Sequence, residues 1–209
     1  MNARESLTGV PATGRFSVLV VCTANICRSP AAEVELRSAL VPSPDVVVSS
    51  AGLRARVGEP VDPGMVAVLG REPEGFAARQ VGPAIVRDAD LVLTMTRDQR
   101  SAIVGAVPAA VRSTFTLREF AALVGLASEH GTDIGQGTKG ERLAALAAVA
   151  PRFRSVRAAG DHDDIEDPFG GSRQDYSRAL EEIRASVADV VTALEGDRVV
   201  PSFADAWSA

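Results

Sequence analysis

Cysteine is nearly absent from the 209-residue chain: only Cys22 and Cys27 occur, five positions apart. So sparse a set excludes the disulfide framework of small secreted domains. Aromatic residues are scarce too, at 4% of the chain, with one Trp and one Tyr. No surplus of positive charge exists either. The 22 Lys and Arg stand against 27 Asp and Glu, a formal charge of −5, and no nucleic-acid-binding surface is expected. No apolar run is long enough to cross a bilayer, and the opening MNARESLTGVPATGR lacks the hydrophobic stretch of a secretion signal. A cytoplasmic protein without a membrane span is the expectation. The two histidines, His130 and His162, are not spaced as metal ligands, so no metal and no cofactor is implied.

What the chain does have is 46% apolar residues, enough for one substantial core. Phe16 to Val21 reads as a strand buried on both faces, Ala31 to Leu40 as a helix, and Asp45 to Ser49 as a second strand. Pro63 to Gly70 reads as a short helix, Asp90 to Met95 as a third strand and Asp98 to Val107 as a helix. Ser113 to Leu117 and Arg118 to Leu126 follow as strand and helix, and Tyr176 to Leu194 as a long final helix with Tyr176, Leu180, Ile183, Val187 and Val191 on its apolar stripe. This alternation predicts an α/β single-domain three-layer sandwich around a four-stranded parallel sheet, with its site at the carboxyl ends of the strands. The expected organisation is a flexible lead-in over 1–14, a domain over 15–195, and a tail over 196–209 in which Phe203 and Trp207 are available to dock on the body. Residues 127–160 change character, with a Gly-rich segment, an alanine-rich helix-like run and a basic stretch.

The chemistry concentrates in VCTANICRSP, Val21 to Pro30. A strand, a tight loop and a helix start in succession gather backbone N–H groups with no partner inside the helix around one point, at the positive end of its dipole. Thr23, Ala24, Asn25, Ile26, Cys27, Arg28 and Ser29 then form a cradle of phosphate size. A free cysteine titrates near roughly 8.5, and a helix N-terminus with a nearby cation brings such a thiol to roughly 3.5–7.5. Cys22 is therefore the candidate nucleophile. Arg28 supplies a planar fork that grips two oxygens of a phosphoryl group. The Ser29 hydroxyl is placed to cap the helix or to donate to the thiolate, and Pro30 suits the first helical position. For Cys27 two readings stay open: a core-facing thiol, or a partner that forms a reversible bond with Cys22 and shields it from deeper oxidation.

Residues 25–30, Asn-Ile-Cys-Arg-Ser-Pro, within a Cys-x5-Arg-Ser loop near the N-terminus resemble the signature of the low-molecular-weight protein tyrosine phosphatases. Ser50-Ala51-Gly52, Gly58 to Asp62, Arg79-Gln80-Val81 and Asp90 to Thr96 look like family blocks in their usual order. The resemblance implies a flavodoxin-like, phosphotyrosine phosphatase I-like fold and treats 127–160 as an insertion. Where the family usually has glycine, this chain has Ala24; Asn25 tolerates positive φ and is expected to make the turn. The family often carries an aromatic wall just before the Gly58 segment, and this chain has Leu53-Arg54-Ala55-Arg56 there.

Cleaving a phosphate ester with a thiolate also requires an acid for the leaving oxygen. Asp161, Asp163, Asp164, Glu166 and Asp167 are the candidates. Asp167 stands out because Pro168 imposes an extended or turn geometry, and Gly170 and Gly171 let the loop fold back. The resemblance selects the same Asp-Pro pair and implies that Phe169 walls the pocket. It also implies a two-step reaction through a phosphocysteine, with Asp167 first acid and then base. Its substrate would be a phosphorylated protein or a small phosphoester, and an external thiol is the reductant expected if the nucleophile oxidises. Two alternatives are an arsenate reductase on the same fold, although no cysteine lies outside the loop to relay a disulfide, and an inactive phosphate-binding module. Gly135 to Gly140 matches the dinucleotide glycine pattern only formally, because no strand precedes it.

Overall fold

A computed structural model describes residues 14–40, 43–157 and 163–196. The expectations for 1–13, for Asp161 and His162, and for the tail with Phe203 and Trp207 concern positions outside the described residues.

Four strands form one parallel sheet in the order β2-β1-β3-β4: β1 Phe16–Cys22, β2 Val46–Gly52, β3 Leu91–Thr94 and β4 Thr114–Thr116. β1 pairs with both β2 and β3. Its two faces enter two different layers, which is why it is a continuous apolar run rather than an alternating one. Phe16, Val18, Val20 and Cys22 join the larger core. Helices α1 (Arg28–Leu40), α2 (Pro63–Leu69), α5 (Leu117–Glu129), α6 (Lys139–Val149) and α7 (Arg173–Glu195) contribute to that same core. Leu19 and Val21 pack on the other side with Val86, Ile103, Val107 and Ala110, where α3 (Pro83–Arg87) and α4 (Arg97–Ala106) lie. Each such Leu or Val, taken from water to full burial, contributes about 1.5–3 kcal/mol. The three-layer sandwich expected from the alternation of elements is the observed architecture.

Differences are local. The helix after the loop opens at Arg28 rather than at Pro30, so Pro30 is its third residue, still within the first turn, and Ser29 is a helical residue. α3 was not anticipated, being a five-residue helix whose only start signal is Pro83. On α7 the stripe runs through Val190 and Leu194, both buried, with Val191 at its half-buried edge, as a 3.6-residue period requires over a helix of this length.

The carboxyl ends of β1, β2 and β3 bring Cys22, Gly52 and Thr94 to one edge of the sheet. At the opposite edge α6 packs by its first turn against the start of β2: the Gly140 N–H donates to Asp45 Oδ2 at 2.7 Å. A cavity of about 790 Å³ lies there, lined by Phe16, Asp45, Ile134, Thr138 and Ala144 among others.

Candidate active site

The loop between β1 and α1 closes around a buried sulfur. Cys22 is 3% exposed. Its Sγ is 3.0 Å from Ser29 Oγ and accepts the Asn25 N–H at 3.3 Å. Asn25 has φ of 56°, and it alone among the described non-glycine residues lies at positive φ. The turn that Ala24 does not make is made by its neighbour, because the asparagine side chain compensates for the left-handed backbone. That side chain is fully satisfied: Nδ2 donates to Ser29 Oγ (3.0 Å) and to Ser50 Oγ (2.9 Å), and Oδ1 accepts the Arg79 N–H (2.9 Å). Arg79 in turn donates through Nε to the Ser50 carbonyl at 2.7 Å. One buried amide therefore welds positions 25, 29, 50 and 79 into a single scaffold behind the sulfur.

The segment after β2 straps the loop from the side. Leu53, Arg54 and Arg56 donate their N–H groups to the carbonyls of Cys22, Thr23 and Ala24 at 2.9, 2.8 and 3.0 Å. This close approach requires Gly52. A Cβ there would stand 2.7 Å from the Thr23 carbonyl oxygen and 2.9 Å from the Asn25 nitrogen. Gln99 of α4 reaches across to hold the Thr23 hydroxyl at 3.1 Å.

With the carbonyls of residues 22–24 and 26 engaged outward, the loop's N–H groups are left facing inward. Among the described residues the amides of Ile26, Cys27, Arg28 and Ser29 donate to no acceptor. Arg28 is 3% exposed. Its Nη1 donates to the Ile165 carbonyl at 2.8 Å and its Nη2 pairs with Asp167 Oδ2 at 2.5 Å, while Nε is buried without an acceptor. Buried donors are ordinarily paired. A concentration of unpaired ones around a single point is what an anion site looks like before its anion is counted.

The acidic segment runs beside the end of β3, where the Ile165 N–H donates to the Met95 carbonyl at 2.8 Å. Its carboxylates divide by partner. Asp163 pairs with Arg157, Asp164 accepts the Arg97 N–H at 2.8 Å, and Glu166 points to solvent, 3.8 Å from Arg178. Among the described residues only Asp167 is paired to the loop arginine. Its own Oδ1 accepts the Phe169 N–H at 3.3 Å, a local turn of the kind aspartate makes with its own backbone. Phe169 is 47% exposed, and the Arg56 guanidinium lies over its ring, 4.7 Å from the centroid.

Sequence reasoning missed the floor of the site. Asp62 caps α2 through the Gly64 N–H at 2.9 Å and donates its own N–H to the Ile26 carbonyl at 2.8 Å. The Tyr176 hydroxyl hydrogen-bonds Asp62, and burial together with that bond pushes its pKa up to about 12. The same hydroxyl accepts the Gly170 N–H at 3.3 Å. Phosphate loop, α2, α7 and the Asp167 loop are thus pinned at one point. Burial, with the charges of Asp62, Asp167 and Cys22 adding to it and Arg28 opposing, pushes the Cys27 thiol well above the usual cysteine range. Both cysteines are free. His130 hydrogen-bonds the Leu126 carbonyl and packs on Phe153, remote from the loop.

A model of the low molecular weight phosphotyrosine protein phosphatases matches residues 17–135. The chain belongs to that family. It is 42% identical over 106 residues to a probable low molecular weight protein-tyrosine-phosphatase, EpsP, of Ralstonia nicotianae, a match that spans 49% of this chain and 71% of the relative. Over 84 residues it is 43% identical to the low molecular weight protein-tyrosine-phosphatase Wzb of Escherichia coli K12, spanning 39% of this chain and 55% of that one. Among solved structures, the YwlE arginine phosphatase of Geobacillus stearothermophilus superposes with a TM-score of 0.62 at 28% identity, over 86% of this chain and 93% of that one. The tyrosine phosphatase Wzb of Escherichia coli K30, in complex with sulphate, shares the fold with a TM-score of 0.59 at 23% identity, over 85% of this chain and 97% of that one. No helix among the described residues is long and apolar enough to cross a membrane.

Proposed function

We propose that the protein hydrolyses phosphate monoesters, with phosphotyrosine as the substrate class, through a phosphocysteine at Cys22. The observation that carries this reading is the buried sulfur with two donors at 3.0 and 3.3 Å, beneath a ring of unpaired amides and an arginine with a free Nε. The substrate's equatorial oxygens take the unpaired amides of residues 26–29 and the Arg28 fork. The Cys22 thiolate attacks phosphorus in line, an S–P bond forms as the P–O bond to the leaving group breaks, and Asp167 gives its proton to the departing oxygen. Water then attacks phosphorus with its proton passing to Asp167. The S–P bond breaks, inorganic phosphate leaves, and Ser29 donates to the restored thiolate. Entry of the dianion draws Arg28 away from Asp167, freeing that carboxyl to hold the proton the leaving oxygen requires. No redox change occurs.

A neighbouring fold is an arginine phosphatase, but phosphoarginine leaves as a guanidinium. Arg54 and Arg56 at the rim oppose that cation, and the Phe169 ring suits an aryl group, which favours phosphotyrosine. The single domain over 15–195 with 127–160 inserted, a cytoplasmic location, and an external thiol that restores an oxidised Cys22 complete the reading; having both cysteines in one loop is consistent with a reducing compartment.

The purified protein is expected to hydrolyse p-nitrophenyl phosphate and a phosphotyrosine peptide without added metal, with inhibition by vanadate, and to prefer the phosphotyrosine peptide over its phosphoarginine counterpart. Binding of phosphate with no turnover of any of these esters is the result that would make it a binding module instead.

A further inference from the structure

The strap over the phosphate loop carries a charge pattern that the hydrolytic chemistry does not use. Arg54 and Arg56 each spend their backbone N–H on the loop, while Leu53 before them and Ala55 between them are half-buried and both arginines are exposed. Both arginine side chains are therefore open to solvent. Arg56 spans the mouth of the site to lie over Phe169 at 4.7 Å, and it is weakly engaged by Glu59, 3.4 Å away with both side chains about half exposed. An exposed pair of this length contributes little. The Arg54 side chain makes no hydrogen bond or ion pair with any described residue, although its own N–H is one bond from the anion cradle.

Two guanidinium groups thus stand where a second apolar wall would otherwise complete a slot for an uncharged ring. They do nothing for a bare aryl phosphate beyond what Arg28 and the amides already do. We propose that they select the leaving group, and that the preferred substrate is a phosphotyrosine flanked by acidic residues. This inference rests on the phosphatase reading and adds the substrate class to it. The tyrosyl ring takes the place of the Arg56 guanidinium against the Phe169 face, and the Arg54 head, free of internal partners, pairs with a carboxylate next to it. Rim charges of this sort act chiefly on encounter and on register, and their effect falls with salt.

The test compares two phosphotyrosine peptides of equal length, one with Asp and Glu beside the tyrosine and one with Ser and Asn. At low ionic strength kcat/KM is expected to favour the acidic peptide by about fivefold, and the ratio is expected to fall toward one in high salt. Arg54→Glu should bring the ratio below one, with p-nitrophenyl phosphate, which has no flanking groups, reporting that the variant is folded. A ratio of one in the parent protein at low salt, or a ratio that Arg54→Glu leaves unchanged, overturns the inference and leaves the phosphatase reading standing. Failure of all three esters to turn over removes that reading and this one with it.

Discussion

Two loops in this molecule run into the N-terminus of a helix, at opposite edges of the same sheet, and they end in opposite states. Residues 22–29 open α1 with the amides of Ile26, Cys27, Arg28 and Ser29 unpaired and a sulfur at their centre. Residues 134–140 open α6 with more glycine and a dinucleotide-like spacing, yet the donors of Gly135, Thr138 and Gly140 are spent on the protein itself. The Gly140 N–H is taken by Asp45, Thr138 and Glu141 form a reciprocal capping box, and Gly135 donates to Asp133. A carboxylate of the protein itself sits where an external anion would have to go. Although burial works against it, the hydrogen bonds from Thr138 and Gly140 and the charge of Lys139 hold Asp45 below the usual carboxylate range. The glycine at 140 serves this contact, since a Cβ there would stand 2.6 Å from the Asp45 carboxylate. Glycine pattern is therefore a weaker guide to anion binding than an audit of which donors are left over.

The comparison breaks most visibly at the sulfur. Cys22→Ser should lower turnover by more than about 10³-fold while phosphate binding, measured by calorimetry, persists; loss of binding together with turnover would mean that the loop had collapsed. Arg28→Lys comes next, with a loss of about 10²-fold in kcat/KM, because an ammonium cannot hold two phosphoryl oxygens and the Ile165 carbonyl at once. For Asp167→Asn the size of the loss should grow as the leaving group becomes more basic, and a uniform loss across a series of aryl phosphates would remove Asp167 from the proton-transfer role.

At the other pole the expected effects are on stability alone. Gly140→Ala should cost about 1–3 kcal/mol in denaturant unfolding with kcat/KM for p-nitrophenyl phosphate unchanged. Asp45→Asn should cost about 1 kcal/mol, and this smallest effect carries a pH signature. A carboxyl whose folded pKa is depressed stabilises above its unfolded value of about 3.9 and loses that contribution as pH falls through the folded value. The stability gap between parent and variant should therefore be full at neutral pH and narrow below about pH 4; a gap that widens in acid would show that Asp45 is not the anion at the α6 terminus.

The same contrast explains what was legible in the sequence. The 22–29 loop is local, so its spacing, its strand and its helix could be read directly, and Asn25 at positive φ follows from Ala24 standing where glycine is usual. Asp167 was separable from its acidic neighbours by Pro168, by Gly170 and Gly171 and by the family resemblance, whereas its pairing with Arg28, 139 positions away, was visible only in the fold. The scaffold behind the loop was not legible. Nothing in the chain's local pattern links Asn25 to Ser50 and Arg79, or Asp62 to Tyr176, because those bonds are created by strand order. Nor does the α6 segment announce that Asp45, almost a hundred residues earlier, will cap it. Short-range chemistry was readable, and long-range satisfaction of polar groups needed the fold.

The central claim is that the unpaired ring around Cys22 exists to receive a phosphoryl group. The most direct measurement is rapid acid quenching of the protein during turnover of p-nitrophenyl phosphate, followed by mass spectrometry of its peptides. The account predicts one added phosphoryl group, carried on the peptide containing Cys22 and at that sulfur, absent without substrate and absent from Cys22→Ser. Turnover with no such adduct at any quench time, or with the phosphoryl group on another side chain, would contradict it.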